Sequence, residues 1–382
     1  KTDAVGAFQG TSVIDGLYEM PRDVSIVDMK DTSSPFNTPE AYYTPYGITN
    51  PYWALENNYN HTDAKQIYGK IQMDIMPINS LTFSYRMGFD YTDLDNKNGS
   101  PQIELDDALI NEDYGYAPSN MNQSGFVSAS YSRRYEINHD FLTKYSEKFL
   151  DNKLEVDINA GVNINERAST VMAGSAEDLT FYTGYWDLSN GSSWASLSEA
   201  QSMRRLVGLF GDLTLGWDNM LYMNITARND WSSTLPMGNN SYFYPGATLS
   251  WIFTQLIPEN KILTFGKTRL AYGKTGNDAS VYLTNPRFVQ GYANGYYGSD
   301  IALFPMNGVN AFQAASTLGS TALKPEMTSE FEVGLNMQFF NGRLGFDAAY
   351  YNRITTDQIF TLPVDPATGY SSMVTNFGEV SN

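Results

Sequence analysis

Residues 154–165 read LEVDINAGVNIN, a stretch in which apolar residues alternate with acidic and amide residues. A period of two places successive side chains on opposite faces of an extended strand. The stretch therefore predicts a β-strand with one apolar and one polar face. The predicted apolar face carries Val156, Ile158 and Val162, and the predicted polar face carries Asp157, Asn159 and Asn163.

The same alternation recurs along most of the chain. About eleven strands are predicted, most of them longer than the roughly five or six residues usual in globular sheets. The sequence thus predicts an all-β, antiparallel fold. The predicted strands span 67–75, 81–91, 126–145, 154–165, 206–217, 220–231, 242–254, 267–275, 328–340, 343–359 and 373–382.

The predicted connections alternate between short and long. Asn341-Gly342 is expected to form a two-residue hairpin turn with positive φ at both residues. One end of the sheet is therefore expected to carry short turns and the other end long loops. Short or moderate turns fall at 77–79, 146–152, 218–219, 255–264 and 341–342, and long loops fall at 92–122, 168–202, 232–241, 276–325 and 360–372.

Two segments depart from the alternation. Residues 1–65 are rich in Pro, Asn, Tyr and Gly, and we interpret them as a loop region that leads into the sheet of residues 66–382. Ser198-Glu199-Ala200-Gln201 has the spacing of a capping box, which leaves two alternatives: one short helical turn or a polar loop.

Alternation alone does not separate a soluble β-sandwich from a membrane-spanning sheet. Long strands, with short turns at one end and long loops at the other, favour an up-and-down transmembrane β-barrel. In that arrangement the apolar faces contact lipid and the polar faces line a lumen. Aromatic residues near the strand ends suit the interfacial girdles of such a barrel: Tyr91, Tyr145, Trp217, Trp231 and Trp251.

Composition argues against several classes of function. The chain has 24 Lys and Arg against 42 Asp and Glu, a formal net charge of −18, which disfavours dedicated nucleic-acid binding. It has no Cys, which excludes thiol nucleophiles, disulfides and cysteine-based metal sites. Gly266-Lys267-Thr268 and Gly273-Lys274-Thr275 lack the earlier Gly of a phosphate loop, and Asp93, Asp95 and Glu104 only approximate a calcium loop. No catalytic residue, cofactor or metal ligand is therefore predicted.

Aromatic residues in the long loops are the strongest candidates for a binding role. Flat rings with polar edges stack on sugar faces or pack against protein partners. The alternative is that these loops merely pack on one another. The candidate contact residues are Tyr182, Tyr185, Trp186 and Trp194 in one loop, and Tyr292, Tyr296 and Tyr297 in another.

Several short motifs occur in order over nearly the whole chain. They are Asn50-Pro51-Tyr52-Trp53, Arg228-Asn229-Asp230-Trp231-Ser232-Ser233, Tyr244-Pro245-Gly246 with Ser250-Trp251, Tyr272-Gly273-x-x-Gly276-Asn277, Leu323-Lys324-Pro325-Glu326, Tyr350-Tyr351 with Asp357-x-Ile359, and Asn376-Phe377-Gly378-Glu379-Val380-Ser381-Asn382. Glu330, Glu332 and Asn336, which follow one of the motifs, share the face that would line a polar lumen. In order and spacing the motifs resemble those of the SusC/RagA family of TonB-dependent outer-membrane transporters, although Tyr244-Pro245-Gly246 departs from the family's more usual Phe-Pro-Ser.

The resemblance implies a fold, a cellular location and a function. It implies part of a barrel in the outer membrane of a Gram-negative bacterium, with short periplasmic turns and long extracellular loops. It further implies active import of oligosaccharides or peptides, a SusD-like surface lipoprotein that closes as a lid, and energy from TonB through a plug domain and TonB box expected to lie outside this sequence. The alternative function is a secreted, soluble β-protein that binds or hydrolyses glycans.

Overall fold

The structure, a computed structural model, describes residues 17–18, 22, 25–31, 51–102, 124–181, 184–258, 261–294, 300–303 and 308–382. At 194–195, 292–294 and 300–303 only the backbone is described. The chain divides into two compact units. The first contains residues 1–68, 90–135 and 168–202, and the second contains residues 69–89, 136–167 and 203–382.

The described chain consists mainly of strands. They are β1 (Tyr59–Ile78), β2 (Leu81–Ser100), β3 (Phe126–Phe149), β4 (Leu154–Leu179), β5 (Gly191–Trp217), β6 (Leu221–Ser232), β7 (Ser241–Trp251), β8 (Leu263–Asn277), β9 (Phe288–Gln290), β10 (Tyr292–Asn294), β11 (Asp300–Leu303), β12 (Phe312–Ala314), β13 (Thr317–Leu318), β14 (Glu326–Phe339), β15 (Leu344–Thr356), β16 (Ile359–Pro363), β17 (Ser372–Asn376) and β18 (Glu379–Ser381).

Besides the helical residues Leu17 and Tyr18, the described ranges contain one α-helix and four 3₁₀ turns. They are α1 (Pro51–Asn57) and the turns Asp28–Lys30, Leu188–Asn190, Phe253–Leu256 and Pro366–Thr368. In this part of the chain, no helix is both long and apolar enough to cross a membrane.

Eleven strands form the main sheet, in the order β1-β2-β3-β4-β5-β6-β7-β8-β14-β15-β18. Chain neighbours therefore pair with each other, except where the minor strands intervene. The pairing of β14 with β15 is antiparallel and unbroken from Met327↔Thr356 to Phe339↔Leu344. This confirms the all-β, antiparallel fold with eleven strands that the alternation predicts.

Several strands extend beyond the alternating stretches. The predicted loop at 168–202 is wrong, because β4 continues to Leu179, β5 begins at Gly191, and only residues 180–190 connect them. Ser198–Gln201 belong to β5, so neither a helical turn nor a loop is correct there. The backbones pair although the side chains no longer alternate, and the Ser175 and Ser196 hydroxyls hydrogen-bond at 2.8 Å. β1 likewise begins at Tyr59, ahead of the first alternating residue.

The turn at Asn341-Gly342 has the predicted backbone conformation but a different length. Both residues have positive φ, 58° and 79°, as expected. The connection is longer than two residues, because β14 ends at Phe339 and β15 begins at Leu344, with Phe340 also at φ 55°.

Short turns gather at one end of the strands in the second unit. Phe340 N donates to Ile262 O at 2.8 Å, and Ile252 N donates to Met220 O at 2.8 Å, so three successive turns contact each other. At the opposite ends of the same strands lie the connections 233–240, 278–325 and 357–378. The predicted phase of short and long connections is confirmed in this unit.

Among the described residues few apolar side chains are buried, and those that are lie mainly in loops and near strand ends. In the first unit, Val127, Ala176 and Leu179 form a small core with the partly buried Trp186 and Leu188. In the strands, the apolar face is instead open: Ile67 is 65% exposed, Ile71 61% and Ile158 42%. The described structure thus places no protein layer over these apolar residues.

A second core holds three connections of the second unit together. It contains Leu235, Tyr242, Ala279, Leu323 and Val374. We call residues 233–240, 278–291, 308–325 and 357–378 the loop platform. Side-chain amides tie its parts: Asn239 Nδ2 donates to Leu323 O at 3.1 Å, and Asn376 Nδ2 donates to Lys324 O at 2.9 Å.

Candidate functional site: the polar face of the sheet

The polar residues of β4 form hydrogen bonds across one face of the sheet. Asn163 Nδ2 donates to Asn138 Oδ1 at 2.9 Å and to Asp140 Oδ1 at 2.6 Å, and Asn159 Nδ2 donates to Asp212. Ile158 directly precedes Asn159 and Ile164 directly follows Asn163, and both isoleucines are exposed, so the predicted separation of polar and apolar faces is confirmed.

The same face continues on β8, β14 and β15. Arg269 Nε lies 2.7 Å from Glu332 Oε1, and Arg353 Nε lies 2.5 Å from Glu330 Oε2. Asn336 Nδ2 donates to Asp347 Oδ2 at 2.7 Å. The predicted shared face of Glu330, Glu332 and Asn336 is therefore confirmed. Each contact joins two neighbouring strands, so the charges are paired along the face rather than repelling one another.

A hollow of about 620 Å³ lies on this face in the second unit. Gly273 deepens the hollow, because the space that a Cβ would occupy there is empty, with no atom within 4 Å. Threonine hydroxyls line much of the hollow. Because a hydroxyl both donates and accepts hydrogen bonds, this lining can bind neutral or charged polar ligands. The lining includes Thr226, Thr248, Thr275, Thr328 and Thr355, with Glu330, Glu332 and Arg353 at one side.

The most highly connected carboxylate near this face is Asp278, directly after β8. Arg204 Nε and Nη2 each donate to it at 2.8 Å, Thr234 Oγ1 donates at 2.9 Å, and the Ser232 hydroxyl also donates. Its side chain is only 6% exposed. Burial by itself would raise the pKa of the Asp278 carboxyl, but the hydrogen bonds from Arg204, Ser232 and Thr234 outweigh burial and hold the pKa below its usual range.

A second buried carboxylate, Asp230, lies within β6. Arg228 Nε lies 2.7 Å from Asp230 Oδ1, and Tyr244 Oη donates to Oδ2 at 2.5 Å. The Arg228 guanidinium also lies 5.5 Å from the centroid of the Phe210 ring. These contacts give the Arg228–Ser233 motif a physical role, which is to link the Arg228–Asp230 pair of β6 to Tyr244 in β7 and Phe210 in β5.

Sequence reasoning did not identify Arg204, Asp230 or Asp278 as site residues. Arg204 and Asp278 are separated by 74 positions, and neither belongs to a recognised catalytic motif. The available signal was weak: charged residues on polar faces of predicted strands, and an Asp that directly follows the Gly276-Asn277 end of a motif.

The structure describes only part of the predicted aromatic set. Tyr182, Tyr296 and Tyr297 lie outside the described residues, and Trp194 and Tyr292 are described only as backbone, in β5 and β10. Tyr185 is half exposed. Trp186 is partly buried against the first unit's core, and its ring stacks on Tyr59 at 5.6 Å. The contacts of Trp186 thus favour the alternative that this loop packs on its own unit.

A cavity of about 520 Å³ in the first unit lies beside this loop. Leu188 forms part of its wall, and Asp187 lies 4.0 Å from the ammonium of Lys97, another lining residue. Its lining mixes aromatic, apolar and charged groups: Tyr59, His61, Tyr131, Leu197, Asp63 and Asp95 are among them. No group of three or more His, Cys, Asp or Glu residues suited to a metal ion occurs in the described ranges.

Comparison with known proteins gives consistent results over most of the chain. Residues 11–382 match the family model described as TonB dependent receptor-like, beta-barrel. The TonB-dependent receptor SusC of Bacteroides thetaiotaomicron is 22% identical over 382 residues, which cover 92% of this chain and 33% of SusC. TonB-dependent receptor P3 of Formosa agariphila is 28% identical over 213 residues, which cover 55% of this chain and 20% of P3.

The fold is also similar to a solved structure. It superposes on a chain of the RagAB peptide transporter with a TM-score of 0.74 at 21% identity, covering 90% of this chain and 36% of that chain. Among the relatives matched by sequence, the chain covers between 20% and 33% of each protein's length.

Proposed function

The chain belongs to the TonB dependent receptor-like β-barrel family, and we propose that it forms the wall of an active importer of oligosaccharides or peptides. Its sheet is a section of an antiparallel outer-membrane β-barrel with an apolar lipid-facing side and a polar lumenal side. We propose that the barrel section begins with β1, at Tyr59 and not at the predicted residue 66, and that the residues before it form an extracellular region leading into it.

One observation carries this proposal: the sheet is open on its apolar face and hydrogen-bonded on its polar face. In a soluble protein the exposed isoleucines of β1 would be covered by another layer. In a membrane, lipid supplies that cover, while paired charges suit a water-filled lumen. The alternative of a secreted glycan-binding protein does not account for an uncovered apolar face, and family membership also favours the barrel.

The family is one of transporters, and we propose that this chain has no catalytic role. The partners that we propose are TonB, acting through a plug domain, and a SusD-like surface lipoprotein that closes over the long loops. The similarity to SusC and to the RagAB peptide transporter supports both partners and leaves both oligosaccharides and peptides as substrate classes.

The proposed contact residues remain the aromatic side chains of the long loops. Tyr185 supports this role best among the described residues, because its ring is exposed. Trp186 would act indirectly, by fixing the loop that carries Tyr185. Tyr182, Trp194, Tyr292, Tyr296 and Tyr297 are proposed from the sequence alone.

Uptake by cells that produce the full-length protein tests this function. We expect accumulation of a labelled maltooligosaccharide mixture or of a labelled tryptic peptide mixture, and loss of accumulation when a protonophore collapses the proton motive force. Removal of TonB from the cells should have the same effect as the protonophore. Uptake that continues unchanged after both treatments would contradict TonB-dependent import.

A further inference from the structure

We propose that Asp278 is the positioning residue that holds the loop platform on the ends of the strands, and that it thereby sets the affinity of substrate capture. This inference rests on the proposed import function. Asp278 is the first residue after β8, where the chain leaves the sheet and enters the platform. A contact at this point controls where the following segment starts.

The partners of Asp278 all come from other elements at the same end of the sheet. Arg204 lies in β5, Ser232 is the last residue of β6, and Thr234 lies in the connection after β6. The bidentate contact with Arg204, at 2.8 Å for both bonds, fixes the direction as well as the distance of the carboxylate. One side chain therefore ties β5, β6 and the 233–240 connection to the start of the 278–325 segment.

The network lies directly beside the core of the platform. Ala279, the next residue, is 5% exposed and packs with Leu323 and Val374 from the other connections. Tyr282 then reaches back to β5, where its hydroxyl accepts a hydrogen bond from Met203 N at 3.2 Å. The short segment 278–282 is thus fixed by the polar contacts of Asp278 and Tyr282 and by the apolar packing of Ala279 between them.

The positioned segment carries exposed aromatic side chains. Phe288 is 74% exposed and Phe312 is 67% exposed, and both project from the β9–β12 pair. Phe288 pairs with Ala314 and Phe312 with Gln290, so the two rings occupy the same face of this hairpin, because alternate residues share a face. Tyr292, one of the proposed contact residues, follows in β10. Displacement of the platform would move Phe288 and Phe312 together.

Asp230 provides a matched comparison within the same protein. It is as buried as Asp278, with 6% of the side chain exposed, and it also pairs with an arginine. Its partners Arg228 and Tyr244 lie in β6 and β7, outside the platform, although the Tyr244 ring packs against the platform core. Asp230→Asn keeps that ring and every contact of Asp278, and it removes a comparable buried charge.

The experiment compares Asp278→Ala, Asp278→Asn and Asp278→Glu with Asp230→Asn in the full-length protein in its native membrane. Heat-dependent gel mobility checks barrel assembly, and limited proteolysis of intact cells reports cleavage within residues 278–325. Uptake is measured with the labelled oligosaccharide and peptide mixtures over a range of concentrations, which separates the half-saturating concentration from the maximal rate.

We expect Asp278→Ala to assemble, to be cleaved within 278–325, and to raise the half-saturating concentration about tenfold with little change in maximal rate. Asp278→Asn should have a smaller effect, and Asp278→Glu, which restores a carboxylate, should have the smallest. Asp230→Asn should leave the protease resistance of 278–325 unchanged. A merely structural contact would change the amount of assembled protein, and hence the maximal rate, without this shift in concentration dependence.

Two results would overturn the inference. One is an Asp278→Ala protein whose platform resists protease as well as the unsubstituted protein does. The other is a cleavable platform with an unchanged half-saturating concentration. If the unsubstituted protein imports neither mixture, the proposed function fails and the effect on affinity fails with it, while the protease comparison still decides whether Asp278 holds the platform.

Discussion

The indole of Trp186 lies against the phenol of Tyr59, with ring centroids 5.6 Å apart and planes inclined by 13°. Gly99 lies beside this stack, and a Cβ at that position would overlap the Trp186 ring. The loop at 180–190 is therefore fixed to strands β1 and β2 of its own unit by the fit between one indole, one phenol and a residue without a side chain.

Trp186→Ala should release this loop. Loss of a buried Trp costs about 3 to 5 kcal/mol, and because Trp186 is only partly buried we expect roughly 2 kcal/mol of local destabilisation. Hydrogen exchange of residues 180–190 measures it. Tyr185→Phe is the control, since it keeps the ring that contacts Phe181 and removes only the hydroxyl, whereas equal exchange in both variants would show that the stack does not hold the loop.

Substitutions in β4 should distinguish its two faces. Ile158→Arg places a charge on the apolar face and should cost about 2 to 4 kcal/mol near the middle of the bilayer. Asn159→Arg should cost much less, because the side chain at 159 lies on the polar face, beside the carboxylate of Asp212. The free energy of unfolding in lipid vesicles tests this pair. Similar costs for both variants would reject the assignment of lipid and lumenal faces.

Gly342→Val should slow assembly of the β14–β15 hairpin. Gly342 has a φ of 79°, and left-handed backbone costs a residue with a Cβ roughly 1 to 2 kcal/mol, more when it is β-branched. Gly345→Val is the matched control, because Gly345 lies in β15 and its Cβ would meet nothing within 4 Å. The rate at which heat-resistant barrel appears after refolding should fall only for Gly342→Val.

The Asp278 network should weaken in acid. The pKa of this carboxyl is below its usual value of 3.8 in the folded protein, so the folded state binds fewer protons than the unfolded state near that pH. The stabilisation is therefore complete above about pH 4 and is lost as the pH falls through the lowered pKa. Protease resistance of residues 278–325, measured with an acid-active protease, should show this loss. In Asp278→Asn the protease resistance of residues 278–325 should not change as the pH falls below about 4.

The strands were predictable from the sequence because each strand centre carries its own signal. Leu154 to Ile164 alternate regardless of what the neighbouring strands do, and lipid on one side and water on the other require that alternation. Alternation is not required in the parts of the strands that extend beyond the lipid. The end of β4, up to Leu179, and the start of β5, from Gly191, form strands because their backbones pair, and the side-chain pattern does not reveal this pairing.

The polar site was less predictable for a different reason. That Glu330 and Glu332 share a face follows from spacing, and the structure confirms it. That Arg204 meets Asp278 depends on the order of strands and on where a long connection returns, and neither property is local in sequence. Trp186 shows the same limit, because composition identifies an aromatic loop but does not show which of its rings turn inward.

Strand order also has a kinetic consequence. From β1 to β8 each strand pairs with the strand before it in the chain, across connections no longer than residues 101–125, so pairing can advance hairpin by hairpin. Between β8 and β14 the whole segment 278–325 intervenes, and the entropy lost on closing a loop grows with its length. The joining of β14 to β8 is thus the expected slow step in folding of this section, and the carboxylate at residue 278 lies where that closure begins.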